Sequence, residues 1–305
     1  MRTMKLGSSN LHVPVVAVGC MRLNSLSKDD ATTFLNTALE HGANFFDHAD
    51  IYGNGRCESL FAEAWPMTPS VREKMMIQTK CGIQDGMYNF SKEHILQSVD
   101  GSLKRLKTEY LDVLLLHRPD ALVEPEEVAA AFDTLQRTGK VRQFGVSNHK
   151  PLQIELLKKY VKQPLVANQL QLSITNATMI ANGLNVNMEN SAAVDRDGSV
   201  LDYCRLHDMT IQPWSPFQYG FFEGVFVGND KFPELNRKLE EIGDHYGVNS
   251  TTIVIAWLLR HPARMQPIIG TMNRERLKDC IQAGDVWLTR EEWYGIWRAA
   301  GNSLP

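Results

Sequence analysis

Four side chains in the sequence could together protonate an oxygen on which negative charge develops. They are Asp47, Tyr52, Lys80 and His117. A phenol has an ordinary pKa of about 10, too high to release its proton readily near neutral pH. A neighbouring Lys80 ammonium would lower that pKa, and the Asp47 carboxylate would hold the lysine in place and charged. His117 could donate a hydrogen bond to a substrate oxygen and orient it.

This set of side chains suits the reduction of a carbonyl group. The carbonyl oxygen gains negative charge when its carbon accepts hydride, and a nearby acid neutralises that charge. No side chain supplies hydride, so the chemistry requires a cofactor. Each residue taken alone is more often structural or solvated, and the prediction depends on their occurring together.

The elements that must position these residues form a repeating pattern of short apolar segments, each followed by an amphipathic one. Apolar runs of this length without alternation are typical of strands covered on both faces. The predicted strands are Val15–Gly19, Ala43–Asp47, Met75–Thr79, Asp112–Leu116, Gln143–Ser147, Pro164–Gln169, Thr210–Trp214 and Gln266–Gly270. The predicted helices are Asp29–His41, Ser91–Leu106, Glu124–Thr138, Leu152–Val161, Pro233–Gly247 and one from the Thr289–Glu292 capping box to about Ala300.

Eight strand–helix units in 305 residues predict an α/β fold, a (β/α)8 TIM barrel that forms a single domain over residues 1–305. A doubly wound sheet would normally carry a Gly-x-Gly-x-x-Gly turn after an early strand, and the sequence has none. Asp47, Lys80 and His117 end or follow predicted strands. We therefore expect them to meet at the C-terminal mouth of the barrel, with Tyr52 folding over them from its loop.

Composition argues against several other classes of protein. With 32 Lys+Arg, 35 Asp+Glu and a net charge of −3, the chain has no overall attraction to nucleic acid or to anionic membranes. The five cysteines are scattered and include no Cys-x-x-Cys pair, which does not favour a disulfide framework or a thiolate zinc site. No segment has the pattern of a signal peptide or the length of a membrane span, so a cytoplasmic protein is expected.

The sequence resembles the aldo-keto reductase family over essentially its whole length. Six ordered segments carry the resemblance: Asp47–Gly53, Thr79–Lys80, Leu116–Pro119, Gly145–Asn148, Asn168–Gln169 and Trp214–Pro216. The resemblance implies an enzyme that reduces a small-molecule carbonyl substrate with a nicotinamide cofactor. It implies that Tyr52 is the proton donor, that Lys80 and Asp47 tune it, and that His117 positions the carbonyl oxygen.

The resemblance also implies where the cofactor binds. Ser147, Asn148 and Gln169 would hold the nicotinamide carboxamide. Trp214 would stack on the nicotinamide ring, and Ser215, the next residue, would also bind the cofactor. The segment 220–224 resembles a loop that folds over the cofactor in some members and gates its release.

The segment after the last strand resembles the family's adenosine-phosphate loop. Its predicted cofactor-binding residues are Thr271, Met272, Asn273 and Arg276. Arg276 could pair with a 2′-phosphate, so NADPH is the expected cofactor and NADH the less favoured one. Many members have Lys where this chain has Gly270 and Asn where it has Cys280, which leaves the preference between the two cofactors open.

Two other functions are open on the sequence alone. The chain could be an NADPH-binding regulatory or redox-sensing subunit with little turnover. A metal-dependent hydrolase could use Asp47, His48 and His117 as ligands, but such barrels usually carry His-x-His, and no metal site is predicted. An open substrate site is expected, walled in part by Arg118 and by the 175–199 insertion. The substrate, the direction of the reaction and the oligomeric state are not predicted.

Overall fold

The computed structural model describes residues 1–302 and Leu304; Ser303 and Pro305, which the predicted domain includes, lie outside the described residues. Among the described residues, eight parallel strands form one sheet in the order β7-β6-β5-β4-β3-β2-β1-β8. The strands are β1 Ala17–Gly19, β2 Phe45–Asp47, β3 Met76–Cys81, β4 Leu111–Leu116, β5 Val141–Ser147, β6 Leu165–Gln171, β7 Thr210–Trp214 and β8 Ile268–Ile269. The Gln266 amide donates to the Ile211 carbonyl at 2.9 Å and joins the two ends of the sheet. The predicted barrel is confirmed.

The strands are apolar on both faces because both faces are covered. Every residue of β4 is buried. Val113 and Leu115 belong to a core inside the barrel, whereas Leu114 and Leu116 belong to the larger core between the sheet and the helices. This arrangement explains the unbroken apolar run, since period-2 alternation would require one solvated face.

The helices surround the sheet. They are α1 Lys28–Glu40, α2 Arg56–Glu63, α3 Pro69–Arg72, α4 Lys92–Leu106, α5 Pro125–Arg137, α6 Pro151–Lys158, α7 Thr178–Leu184, α8 Val200–Leu206, α9 Pro233–Tyr246, α10 Ser250–Arg260, α11 Arg274–Gln282 and α12 Arg290–Ala299. The predicted helices correspond to α1, α4, α5, α6, α9 and α12. The Thr289 hydroxyl accepts from the Glu292 amide at 3.1 Å and the Glu292 carboxylate accepts from the Thr289 amide, as the predicted capping box requires. Among the described residues, no helix combines the length and apolarity of a membrane span.

A hairpin of Thr3–Lys5 and His12–Pro14, which the sequence analysis did not predict, closes the N-terminal end of the barrel. Its Leu6 and Val13 are fully buried in the inner core with Val113 and Leu115. The site must therefore open at the other end, where the strands have their carboxyl termini.

The two long connections have different roles. Residues 218–219 and 224–225 form a small hairpin after β7, and Phe222 and Val225 line the large cavity at the barrel mouth. The expectation that the 175–199 insertion walls the same cavity is wrong. No described residue of this segment lines that cavity, and Ile180 and Leu184 of its helix α7 line a separate cavity of about 310 Å³ with Arg260 and Trp293.

Candidate active site

Tyr52, Lys80 and Asp47 meet at the mouth of the barrel, as predicted. Asp47 ends β2 and Lys80 lies near the end of β3. The Lys80 ammonium donates to Asp47 Oδ2 at 2.8 Å, to the His48 carbonyl at 2.8 Å and to the Tyr52 hydroxyl at 3.2 Å. Its three donors are thus all engaged. Since Lys80 is fully buried, Tyr52 stands between it and the cavity.

A turn of unusual backbone geometry presents Tyr52. Gly53, Asn54 and Gly55 follow it with φ angles of 57°, 52° and 84°. Three successive left-handed residues reverse the chain within a few ångströms, and two glycines adopt this conformation without steric cost. Helix α2 begins at Arg56, directly after this turn.

The pKa of Tyr52 is raised rather than lowered, which corrects the simple expectation from its lysine neighbour. Burial raises the pKa, and the lowering effect of Lys80 is smaller. For Lys80, burial lowers the pKa, but Asp47 and Tyr52 more than compensate, so the net pKa is raised. The lysine therefore stays charged and the tyrosine keeps its proton at neutral pH.

Asp47 is fixed by three donors. Besides Lys80, its Oδ1 accepts from Gln78 Nε2 at 2.6 Å and from Gln169 Nε2 at 3.0 Å. Gln78 also exchanges hydrogen bonds with Gln212, and Gln212 donates to Gln266 at 2.9 Å. These three glutamines were not predicted from the sequence. Each is a polar residue within or at the start of a predicted apolar strand, and this departure from the apolar pattern could have identified it.

His117 lies where the sequence analysis expected it, at the end of β4 beside Tyr52. The two rings are in edge contact with centroids 6.0 Å apart. Burial, and then the charges of Lys80 and Arg118, lower the pKa of His117 well below its usual value. The imidazole is therefore neutral at physiological pH, and one of its nitrogens carries a proton that it can donate.

The residues considered as metal ligands do not converge. Asp47 is engaged by Lys80 and two glutamines, and the His48 ring packs against Phe61 with centroids 4.7 Å apart. Among the described residues, no group of three His, Cys, Asp or Glu side chains is placed to hold a metal ion.

One large cavity, of about 760 Å³, connects these groups with the predicted cofactor residues. The predicted residues that line it are Asp47, Tyr52, His117, Ser147, Asn148, Gln169, Trp214, Ser215, Thr271, Met272, Asn273 and Arg276, with Gly270 and Cys280. Arg22 and Ser25 line it too and were missed. Both follow β1, whose carboxyl end faces the same mouth.

The predicted carboxamide-binding residues form one hydrogen-bonded group. Asn148 donates to the Ser147 hydroxyl at 2.8 Å and accepts from the Trp214 indole at 3.1 Å. The Ser147 hydroxyl donates to the Gln169 carbonyl at 3.0 Å. Trp214 is therefore held at a fixed angle, and Phe222 from the 220–224 loop stacks on it with centroids 5.9 Å apart.

The far end of the cavity suits an anion. Asn273 caps α11 by accepting from the Arg276 amide at 3.0 Å, and this places a positive helix end at the cavity wall. The Arg276 side chain is exposed there, and Arg22 reaches a point 3.4 Å from where a Cβ on Gly270 would lie. Polar amides and an aromatic ring at one end, with cationic groups at the other, fit an elongated dinucleotide that carries phosphates.

Comparison with known proteins gives consistent results. A model of the aldo/keto reductase family matches residues 15–300. The uncharacterized oxidoreductase YcsN of Bacillus subtilis is 38% identical, with 98% of each chain covered. A 6-dehydroglucose reductase of Agrobacterium fabrum is 32% identical, with 96% of each covered.

Solved structures agree on the fold. The thermostable aldo-keto reductase Tm1743, crystallised with the inhibitor epalrestat, superposes with a TM-score of 0.79 at 25% identity, covering 98% of this chain and 100% of its own. An aldo-keto reductase of Bombyx mori in complex with NADP gives a TM-score of 0.76 at 21% identity, covering 98% of this chain and 92% of its own.

Proposed function

Because this chain belongs to the aldo/keto reductase family of oxidoreductases, we propose that it reduces an aldehyde or a ketone to an alcohol, with Tyr52 as the proton donor. The observation that carries the proposal is the contact of the Tyr52 hydroxyl with the buried Lys80 ammonium at the cavity wall, 3.2 Å away. We propose that residues 1–305 form a single domain that carries out this reaction.

In the proposed mechanism, the side chains act on the carbonyl oxygen. Neutral His117 donates a hydrogen bond to that oxygen and orients it towards Tyr52. As negative charge develops on the oxygen, the Tyr52 hydroxyl transfers its proton, and the Lys80 ammonium stabilises the phenolate left behind. Asp47 holds Lys80 in the position from which it can do this.

NADPH is the proposed cofactor, and when bound it supplies the hydride. Ser147, Asn148 and Gln169 would hold the carboxamide and Trp214 would contact the ring face. The rest of the cofactor site would be lined by Ser215, Thr271, Met272 and Asn273. Arg276 would pair with the 2′-phosphate that distinguishes NADPH from NADH. A relative named as a 6-dehydroglucose reductase supports a small carbonyl compound as the substrate.

The test is NADPH consumption with an activated aromatic aldehyde, with the alcohol product quantified in parallel. The proposal predicts one alcohol formed for each NADPH oxidised. NADPH binding without turnover across a broad panel of aldehydes and ketones would contradict it and would support a cofactor-sensing subunit instead.

A further inference from the structure

A second buried group of charges lies directly behind the Tyr52 turn. Glu58, on α2, is fully buried; its Oε2 accepts from Arg105 Nε at 2.7 Å and its Oε1 from the Thr79 hydroxyl at 2.7 Å. The Asp50 carboxyl lies close enough to this group for the charges of Glu58 and Arg105 to change its pKa. The Arg105 guanidinium, whose side chain is 30% exposed, pairs with Glu58, and its charge also acts on the half-buried Asp50 carboxyl.

Asp50 is the less well satisfied of the two acids. Its Oδ1 is buried without a hydrogen-bond partner among the described residues. The groups that face the carboxyl are Glu58 from α2, Ser98 and Arg105 from α4, Cys81 from β3 and the amide of Ile51. His94 lies behind Ser98, with its Nε2 3.3 Å from the Ser98 hydroxyl. Burial, and then the Glu58 carboxylate, raise the pKa of Asp50 to about 7.

The same group holds the Tyr52 turn from both sides. Before Tyr52, the Asp50 amide donates to the Lys80 carbonyl at 3.1 Å. After it, the Arg105 side chain packs against Gly55, with its Cδ 2.7 Å from where a Cβ on that glycine would lie. Movement of Arg105 would therefore be transmitted to the turn that presents Tyr52.

We propose that Asp50 is a positioning residue for Tyr52: its protonated form leaves Arg105 bound to Glu58 and packed against Gly55, and its ionised form draws Arg105 away and loosens the turn. This proposal rests on the proton-donor role proposed for Tyr52. It makes the order of residues 47–57 depend on pH. Protonated Asp50 adds no second negative charge beside Glu58, so the turn is ordered at low pH and loosens as pH rises through about 7.

Hydrogen exchange of the segment 47–57 tests the proposal without using activity. The wild type, Asp50→Asn and the control Asp100→Asn are compared between about pH 6 and about pH 9. Each exchange rate is divided by the intrinsic rate of the unprotected amide at the same pH. Asp100 lies on α4 and its side chain is 56% exposed, in a pair with Lys140. We expect protection to fall with pH in the wild type and in Asp100→Asn but to stay constant in Asp50→Asn. The same pH course in all three proteins would overturn the proposal.

Activity provides the second readout. We expect kcat of the wild type to fall roughly 3- to 10-fold above neutral pH with little change in KM, since a displaced acid slows the chemical step. Asp50→Asn should show no such fall, because Asn mimics the protonated acid. A fall that persists unchanged in Asp50→Asn would contradict the proposal.

Two further results separate the possible failures. If the wild type reduces no carbonyl compound, the proposed function fails, and hydrogen exchange still decides whether Asp50 orders the turn. If Asp50→Asn does not fold, Asp50→Ser replaces it, since it also removes the titrating carboxyl and leaves the Arg105–Glu58 pair in place. That variant should keep its protection between about pH 6 and about pH 9, and a loss with the same pH course as the wild type would overturn the proposal.

Discussion

At the scale of single residues, two opposed effects act on the Tyr52 hydroxyl, and burial is the larger. A tyrosine that keeps its proton at neutral pH suits an acid in carbonyl reduction better than a base in alcohol oxidation. The proximity of the four residues of the proposed proton-transfer set could be predicted from the sequence, because each lies at or just after a strand end. The direction of the Tyr52 pKa could not, since it depends on how deeply the barrel mouth buries the ring.

Arg276 provides a residue-scale prediction about the cofactor. Arg276→Ala should raise the Kd of NADPH about 10- to 100-fold and leave that of NADH almost unchanged, since it removes the charged partner proposed for the 2′-phosphate. Fluorescence titration of the cofactor-free protein measures both. Arg274→Ala, at the first position of the same helix α11, is the matched control. Equal losses for NADPH and NADH in Arg276→Ala would contradict the assignment.

At the scale of elements, the strand ends position Asp47, Lys80 and His117, and one irregular turn positions Tyr52 beside them. Unbroken apolar runs predicted the strands well because strands covered on both faces, such as β4, are buried at every residue, and amphipathic periodicity predicted the surface helices. It did not predict α10, whose residues Thr252–Leu259 are all buried, because a helix that is apolar all round has no amphipathic period. The glutamines inside the barrel were missed for a related reason. Which strand residues face inward depends on how the sheet closes, and no local pattern reports that.

The Tyr52 turn provides an element-scale prediction. An alanine at Gly53 would have its Cβ 2.6 Å from the Asn24 side chain, whereas one at Gly139 would meet nothing within 4 Å. Both glycines have positive φ, at 57° and 74°, so each substitution should cost about 1–2 kcal/mol of backbone strain. Gly53→Ala should also lower kcat by about tenfold or more, because it displaces the neighbouring Tyr52.

Steady-state kinetics and urea unfolding of the two variants separate these effects. If Gly139→Ala lowers kcat as much as Gly53→Ala, backbone strain alone explains the loss and the turn has no special role.

At the scale of the whole molecule, the barrel separates stability from chemistry. The N-terminal end carries a hairpin plug and a buried ion pair, in which Arg72 donates to Asp112 Oδ2 at 2.6 Å. Asp112 also accepts from the Ile77 amide at 2.9 Å. The cavity lies at the other end. The barrel was predictable from eight repeating units, but the plug was not, because its two short antiparallel strands belong to no strand–helix unit.

The buried ion pair provides a prediction at this scale. Asp112→Asn should lower the free energy of unfolding by about 3–5 kcal/mol, since it leaves the buried Arg72 guanidinium without an anion. The value of kcat for the folded protein should not change. Urea unfolding and active-site titration measure the two quantities, and Asp100→Asn, in an exposed pair with Lys140, should cost at most about 1 kcal/mol. A loss of kcat with intact stability would refute this separation.

The most direct test of the central claim is a single-turnover measurement on NADPH-loaded protein. Wild type and Tyr52→Phe are mixed with the same activated aldehyde, and the Kd of NADPH is measured for both. Our account predicts that Tyr52→Phe binds NADPH as the wild type does but oxidises it about 10²- to 10⁴-fold more slowly, because only the proton donor is missing. The control Tyr88→Phe, at an exposed position, should be unaffected. NADPH oxidation by Tyr52→Phe at the wild-type rate would contradict the account.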